Sequence, residues 1–119
     1  MIEETLYRYL KESLAPVEVY LAVRTPPAKK YVYLEKTGSG RHNRLDSATF
    51  AFQSVAPTLE EAAKLNEAVK GLLDDSVRLP GIARARLNTD YNFTDNDLRA
   101  EQRRKKYRYQ AVYDFVYYD

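Results

Sequence analysis

Apolar positions in the first fourteen residues recur three and four apart: Ile2, Leu6, Tyr9, Leu10 and Leu14 share one side of a helical wheel, with Glu3, Glu4, Lys11 and Glu12 around the rest. This spacing predicts an amphipathic helix that stops near Pro16. The period then falls to two. Val17, Val19, Leu21 and Val23 alternate with Glu18, Tyr20, Ala22 and Arg24, the pattern of a half-buried strand, and Pro26 and Pro27 end it because proline has no N–H to give a ladder. Tyr31, Val32, Tyr33 and Leu34 are aromatic and β-branched and predict a second strand. It leads into Thr37, Gly38, Ser39, Gly40, Arg41, His42 and Asn43, a polar, glycine-bearing stretch expected to be a mobile loop. Residues 49–55 predict a third strand, with Ala48, Phe50 and Phe52 on one face and Thr49, Ala51 and Gln53 on the other, closed by Pro57.

A helix over residues 58–73 announces its own start. Thr58 followed by Glu61 has the form of a capping box, in which hydroxyl and carboxylate each satisfy an orphan backbone N–H. Leu59, Ala62, Leu65, Val69, Leu72 and Leu73 mark its apolar face. After Pro80 and Gly81, a long fourth strand sets Ala83, Ala85, Leu87, Thr89, Tyr91 and Phe93 against Ile82, Arg84, Arg86, Asn88 and Asp90. Thr94, Asp95, Asn96 and Asp97 are turn chemistry. On a final strand Tyr107, Tyr109, Ala111, Tyr113, Phe115 and Tyr117 face one way, while Lys106, Arg108, Gln110, Val112, Asp114 and Val116 face the other.

The element order is therefore α-β-β-β-α-β-β. Short connections between consecutive strands favour an α+β fold with a mainly antiparallel five-stranded sheet and both helices packed on one face. A chain of 119 residues suits one domain, residues 1–119. The expected core is Leu6, Leu10, Val19, Leu21, Phe50, Phe52, Leu65, Val69, Leu72, Tyr113 and Phe115. The sheet's other face is then rich in tyrosine and charge and must meet solvent or a partner.

Composition narrows the chemistry. With no cysteine there can be no disulfide, thiolate metal site or thiol nucleophile. No apolar run approaches the roughly 20 residues of a membrane span, and acids among the first residues, where a signal peptide needs bases, lead to an expectation of no export signal. His42 is the sole histidine, so no His-cluster metal site or Cys/His dyad can be built. Gly38, Ser39 and Gly40 lack the lysine and further glycines of a phosphate-binding loop. Asp95, Asn96 and Asp97 lack the glycine and distal glutamate of an EF-hand, and a solvated turn is the plainer reading. No enzymatic role and no cofactor are expected. Eleven tyrosines against four phenylalanines and no tryptophan suit ordinary sheets and protein interfaces alike.

The run Arg103, Arg104, Lys105, Lys106, Tyr107, Arg108, Tyr109 raises a nucleic-acid reading, since cations neutralise phosphates and tyrosines stack on bases. Net charge is only +2, however, and strand alternation sends Tyr107 and Tyr109 to one face and Lys106 and Arg108 to the other. A small nucleic-acid-binding module using this last strand stands as the alternative reading.

The N-terminal amphipathic helix, the strand trio, the segment of residues 46–56 (DSATFAFQSVA), the helix over 58–73 and the tyrosine-rich last strand together resemble the tail terminator (tail completion or head–tail joining) proteins of long-tailed bacteriophages. The resemblance implies an α+β subunit of a closed homo-oligomeric ring, usually a hexamer. Such a ring caps the finished tail tube, offers a surface to the head connector and belongs to the virion tail assembled in the bacterial cytoplasm. It brings no catalytic residues. Arg41, His42, Arg44, Lys106 and Arg108 are the candidate subunit-interface residues, and the basic stretch at 103–108 would either meet acids of a neighbour or line a lumen through which DNA passes.

Overall fold

The computed structural model describes residues 1–21, 28–42, 44–94 and 106–118, with His42 described through its backbone. Two helices, α1 (Ile2–Leu14) and α2 (Leu59–Asp74), accompany five strands: β1 (Glu18–Tyr20), β2 (Tyr31–His42), β3 (Leu45–Ala56), β4 (Ile82–Asn92) and β5 (Tyr107–Tyr117). They form the expected α+β fold, a single sheet in the order β1-β2-β3-β5-β4. Every neighbouring pair is antiparallel except β1 and β2, which run parallel.

β3 lies at the centre, and its alternation decides the rest. Ala48, Phe50 and Phe52 face the helices opposite Phe115, Tyr113 and Ala111 of β5, all six buried. Phe50, Phe52, Tyr113 and Phe115 meet ring to ring at centroid distances of 5.8–6.2 Å, with edge-on contacts across the strands. Each such pair adds about 0.5–1.5 kcal/mol to the burial itself. Ile2, Leu6 and Leu10 of α1 and Leu65, Val69 and Leu73 of α2 close the same cluster, so both helices lie on one face. The Tyr9 hydroxyl donates to the Leu72 carbonyl at 2.8 Å and ties one helix to the other. Thr58 caps α2 as its sequence predicts, its hydroxyl accepting from the Glu61 N–H at 3.2 Å. Gly81 adopts φ 89 to turn the chain into β4, and its carbonyl accepts from the Tyr118 N–H at 2.8 Å.

Several sequence expectations are corrected. Residues 37–42 are no mobile loop. They continue β2 along β3 as far as the His42–Leu45 pair, and Arg44 takes φ 68 in the turn. A tight hairpin turn demands such positive φ. The strand expected over residues 17–24 is paired only at Glu18–Tyr20, and Leu21 is exposed rather than core; residues 22–27 lie outside the described residues. Leu59 is likewise exposed, because it occupies the first position of α2, beyond the edge of the sheet's apolar patch. Leu72 only flanks the core, whereas Val32 and Leu34 are fully buried in it. In β4, register shifts between Ile82 and Arg84 and between Leu87 and Thr89 break simple alternation. Leu87 stays on the helix side with Ala85, while Thr89 and Tyr91 pass to the other face.

Phe52→Ala is expected to lower the unfolding free energy by about 3–5 kcal/mol, and Leu21→Ala to change it by no more than about 0.5 kcal/mol. Urea denaturation followed by circular dichroism checks both, and an unchanged midpoint for Phe52→Ala would refute the core assignment.

Candidate functional site

The five predicted interface residues fall at opposite ends of the sheet. Arg41 and Asp46 face each other across the β2–β3 ladder near its tip, and the guanidinium grips the carboxylate through two bonds, Nε to Oδ1 at 2.7 Å and Nη2 to Oδ2 at 3.3 Å. This fork holds the Asp46 carboxyl below the usual carboxylate range. Arg41 is thus engaged within its own subunit, while Arg44 stands exposed in the turn and His42 contributes its backbone to the last rung. Arg108 pairs with Val55 in the ladder, ten residues along β3 from Leu45, which is about 33 Å at the rise of an extended strand. Within one subunit Lys106 and Arg108 therefore never meet the hairpin tip. Arg103, Arg104 and Lys105 of the basic run, and the turn residues Asp95, Asn96 and Asp97, lie outside the described residues.

Lys106 and Arg108 belong instead to the helix-free face of the sheet. Lys106 Nζ lies 5.7 Å from the centre of the Tyr31 ring and the Arg108 guanidinium 5.3 Å from that of Phe93. Alternation does separate these cations from Tyr107 and Tyr109, as expected, but Tyr31 of β2 and Phe93, just past β4, supply aromatic rings in their place. No single-strand pattern could have signalled this, because it depends on which strands become neighbours. Polar groups run across the same face: the Gln53 amide donates to Gln110 at 3.1 Å, the Gln110 amide donates to the Tyr91 hydroxyl, and Thr49 and Asn88 both donate to Asp114, at 2.6 and 3.0 Å. Exposed Arg84 and Arg86 carry the positive charge onward to the edge at β4.

On the helix side, Asp90 of β4 receives the buried Asn66 amide at 2.7 Å and Lys70 Nζ at 2.5 Å, and Lys70 also pairs with Glu67 at 2.8 Å. The Asp90 bond, with Glu67 second, raises the Lys70 pKa. Burial, then the 2.7 Å hydrogen bond donated to Asp74, pushes the Tyr113 hydroxyl well above its ordinary value. An ammonium and a phenol held this firmly protonated are poor bases at neutral pH. Their arrangement serves to clamp α2 onto the sheet.

The sheet's edges are the feature that the sequence pattern did not disclose. β1 pairs only with Tyr31, Val32 and Tyr33, so among the described residues nothing pairs with the outer side of β2 over residues 34–42. β4 likewise has β5 on one side and no strand on the other. Most of both stretches is solvent-exposed. No protein-family model matches the chain, and no curated protein matches it. Among the described residues no three histidine, cysteine or acidic side chains converge on a point, and no helix is long and apolar enough to cross a membrane.

Because the Arg41 fork lowers the Asp46 pKa, its contribution is present above the unfolded carboxylate value of about 3.9 and is lost as pH falls through the lowered folded value. Carboxyl-carbon NMR titration should place the Asp46 midpoint below that reference, and Arg41→Ala should return it upward. An unmoved midpoint in Arg41→Ala would show that the fork is not its cause.

Proposed function

We propose that this chain is a structural subunit that joins copies of itself into a closed ring, acting as a tail terminator or head–tail joining component of a long-tailed phage or prophage. Such a ring, six-fold in the proteins it resembles, would cap the tail tube, face the head connector and leave a passage for DNA. The observation that carries this reading is the pair of sheet edges, on opposite sides of the molecule, that are left unpaired among the described residues. Exposed edges present rows of backbone donors and acceptors with which another chain can pair. Two different edges on opposite sides suit a head-to-tail contact, which closes into a ring when the rotation between neighbours divides a full turn. Exposed Arg44 at the hairpin tip and half-buried Arg108 at the far end are positioned to meet different neighbours or different partners.

A second reading is favoured by the meeting of Lys106, Arg108, Arg84 and Arg86 with Tyr31, Tyr91 and Phe93 on the helix-free face. Cations and rings on one sheet surface are what single-stranded nucleic acid binds.

Sedimentation over a wide concentration range should show a discrete oligomer. Reversing Arg44 and Arg108 together to Glu should shift the distribution toward monomer with the circular dichroism spectrum unchanged, because a ring repeats each contact at every interface. The nucleic-acid reading expects normal assembly of the double variant, lost oligonucleotide binding and a flattened salt dependence. A wild-type chain that stays monomeric at every concentration would sink the ring.

A further inference from the structure

We infer that the β4 edge of one copy adds, as an antiparallel strand, to the outer side of β2 over residues 34–42 of the next copy, which is unpaired among the described residues, so that the sheet runs on from subunit to subunit. The inference rests on the ring reading and names the contact that would build it. Three observations lead to it.

The first is polarity. From β2 through β3 and β5 to β4, each step is antiparallel, so β4 runs opposite to β2. When a second copy continues the sheet in the same orientation, its β4 meets β2 antiparallel, the more stable kind of ladder.

The second is level. Following the registers across the sheet, Ser39 stands level with Ala48, Phe115 and Ala85, and Gly40 stands level with Ser47, Val116 and Arg84. Leu34, just beyond the end of β1, comes level with Asp90. The stretch of β2 that β1 leaves open therefore matches β4 from Ile82 to Asp90 almost residue for residue. β1 also sets a stop. Its last residue, Tyr20, is level with Tyr91, so a level seat would put Tyr91 and Asn92 of the incoming strand where Tyr20 and Val19 stand; an incoming β4 therefore seats two residues toward the hairpin tip, with Leu87 opposite Ser39.

The third is side-chain fit. On the helix-free face Gly38 and Gly40 stand level with the exposed Arg86 and Arg84. A Cβ on Gly38 would make only an ordinary 4.0 Å contact with Thr49, so its own subunit does not demand a glycine there. Glycine inside a strand marks a place where other groups come close, and with the incoming strand two residues toward the tip Gly40 lies opposite Arg86 and leaves room for its side chain. The register shifts near Thr37, Ala83 and Asn88 bound a short regular run on each edge. Bulges of this kind discourage pairing with arbitrary strands and leave the run to one that fits.

The absence of cysteine from the chain makes the contact directly testable. Two preparations, one carrying Ser39→Cys and the other Leu87→Cys, are mixed and oxidised. Within a subunit these positions lie on strands three spacings apart, no closer than about 14 Å, too far for an internal disulfide. The mixture should give a covalent dimer that neither variant gives alone. Asn92→Cys, which this seat does not bring near Ser39, is the control. Hydrogen exchange on the unmodified protein should show the amides of residues 36–40 and 84–87 slowing as assembly proceeds. Discrete oligomers with no cross-link above the Asn92→Cys control, and with those amides exchanging as fast as in the monomer, would overturn the edge contact while leaving the ring reading intact. A protein monomeric at all concentrations would overturn both.

Discussion

The whole arrangement depends on one strand being flanked along nearly its full length. β3 holds β2 on one side and β5 on the other, and it carries Phe50 and Phe52 into the only place where both helices can reach them. Once those rings are committed to the helix side, the two-residue period of β3 assigns a face to every residue paired with it. Val32 and Leu34 on one flank, and Ala111, Tyr113 and Phe115 on the other, are buried because of where they stand opposite β3. The helices then cover what β3 has gathered.

The sheet is well packed at its centre and unfinished at its margins. β1 is three residues long beside a twelve-residue β2 and parallel to it, so among the described residues it caps one end of that strand and leaves the rest unpaired. β4 is full length but outermost. This asymmetry links fold to proposed role: the interior accounts for a stable subunit, and the margins are what a neighbour would use. The helix-free face adds a positive, aromatic surface running from β2 to β4, assembled from residues far apart in sequence.

Much of this was legible in the chain. The period of two in β3 and β5, the helical spacing of Ile2, Leu6 and Leu10, and the Thr58 cap each report local physics, and each was observed where its pattern placed it. The misreadings share a cause, which is that the deciding term was not local. Gly38 and Gly40 have poor strand propensity, yet pairing with residues 45–49 keeps them extended. Leu21 and Leu59 fit their periods but lie beyond the area that the core covers. In β4 the bulge at Asn88 moves Tyr91 off the face that it would share with Ala85 and Leu87 by simple alternation, and no residue in its neighbourhood announces it. Of the candidate interface residues, sequence singled out the cations, but not that Arg41 is held by Asp46 or that Lys106 and Arg108 lie over aromatic rings.

Asp90 gives β4 a mechanical character. A strand bound by a single ladder peels from its ends, one bond at a time. Here one end is pinned by the bond between Gly81 and Tyr118, and near the other end Asp90 is fastened through Asn66 and Lys70 to α2. Tension applied to the middle of β4 is therefore passed to a helix and to the end of the sheet before the ladder opens. An outermost strand anchored in this way behaves less like a fraying margin than like a string stretched between two posts.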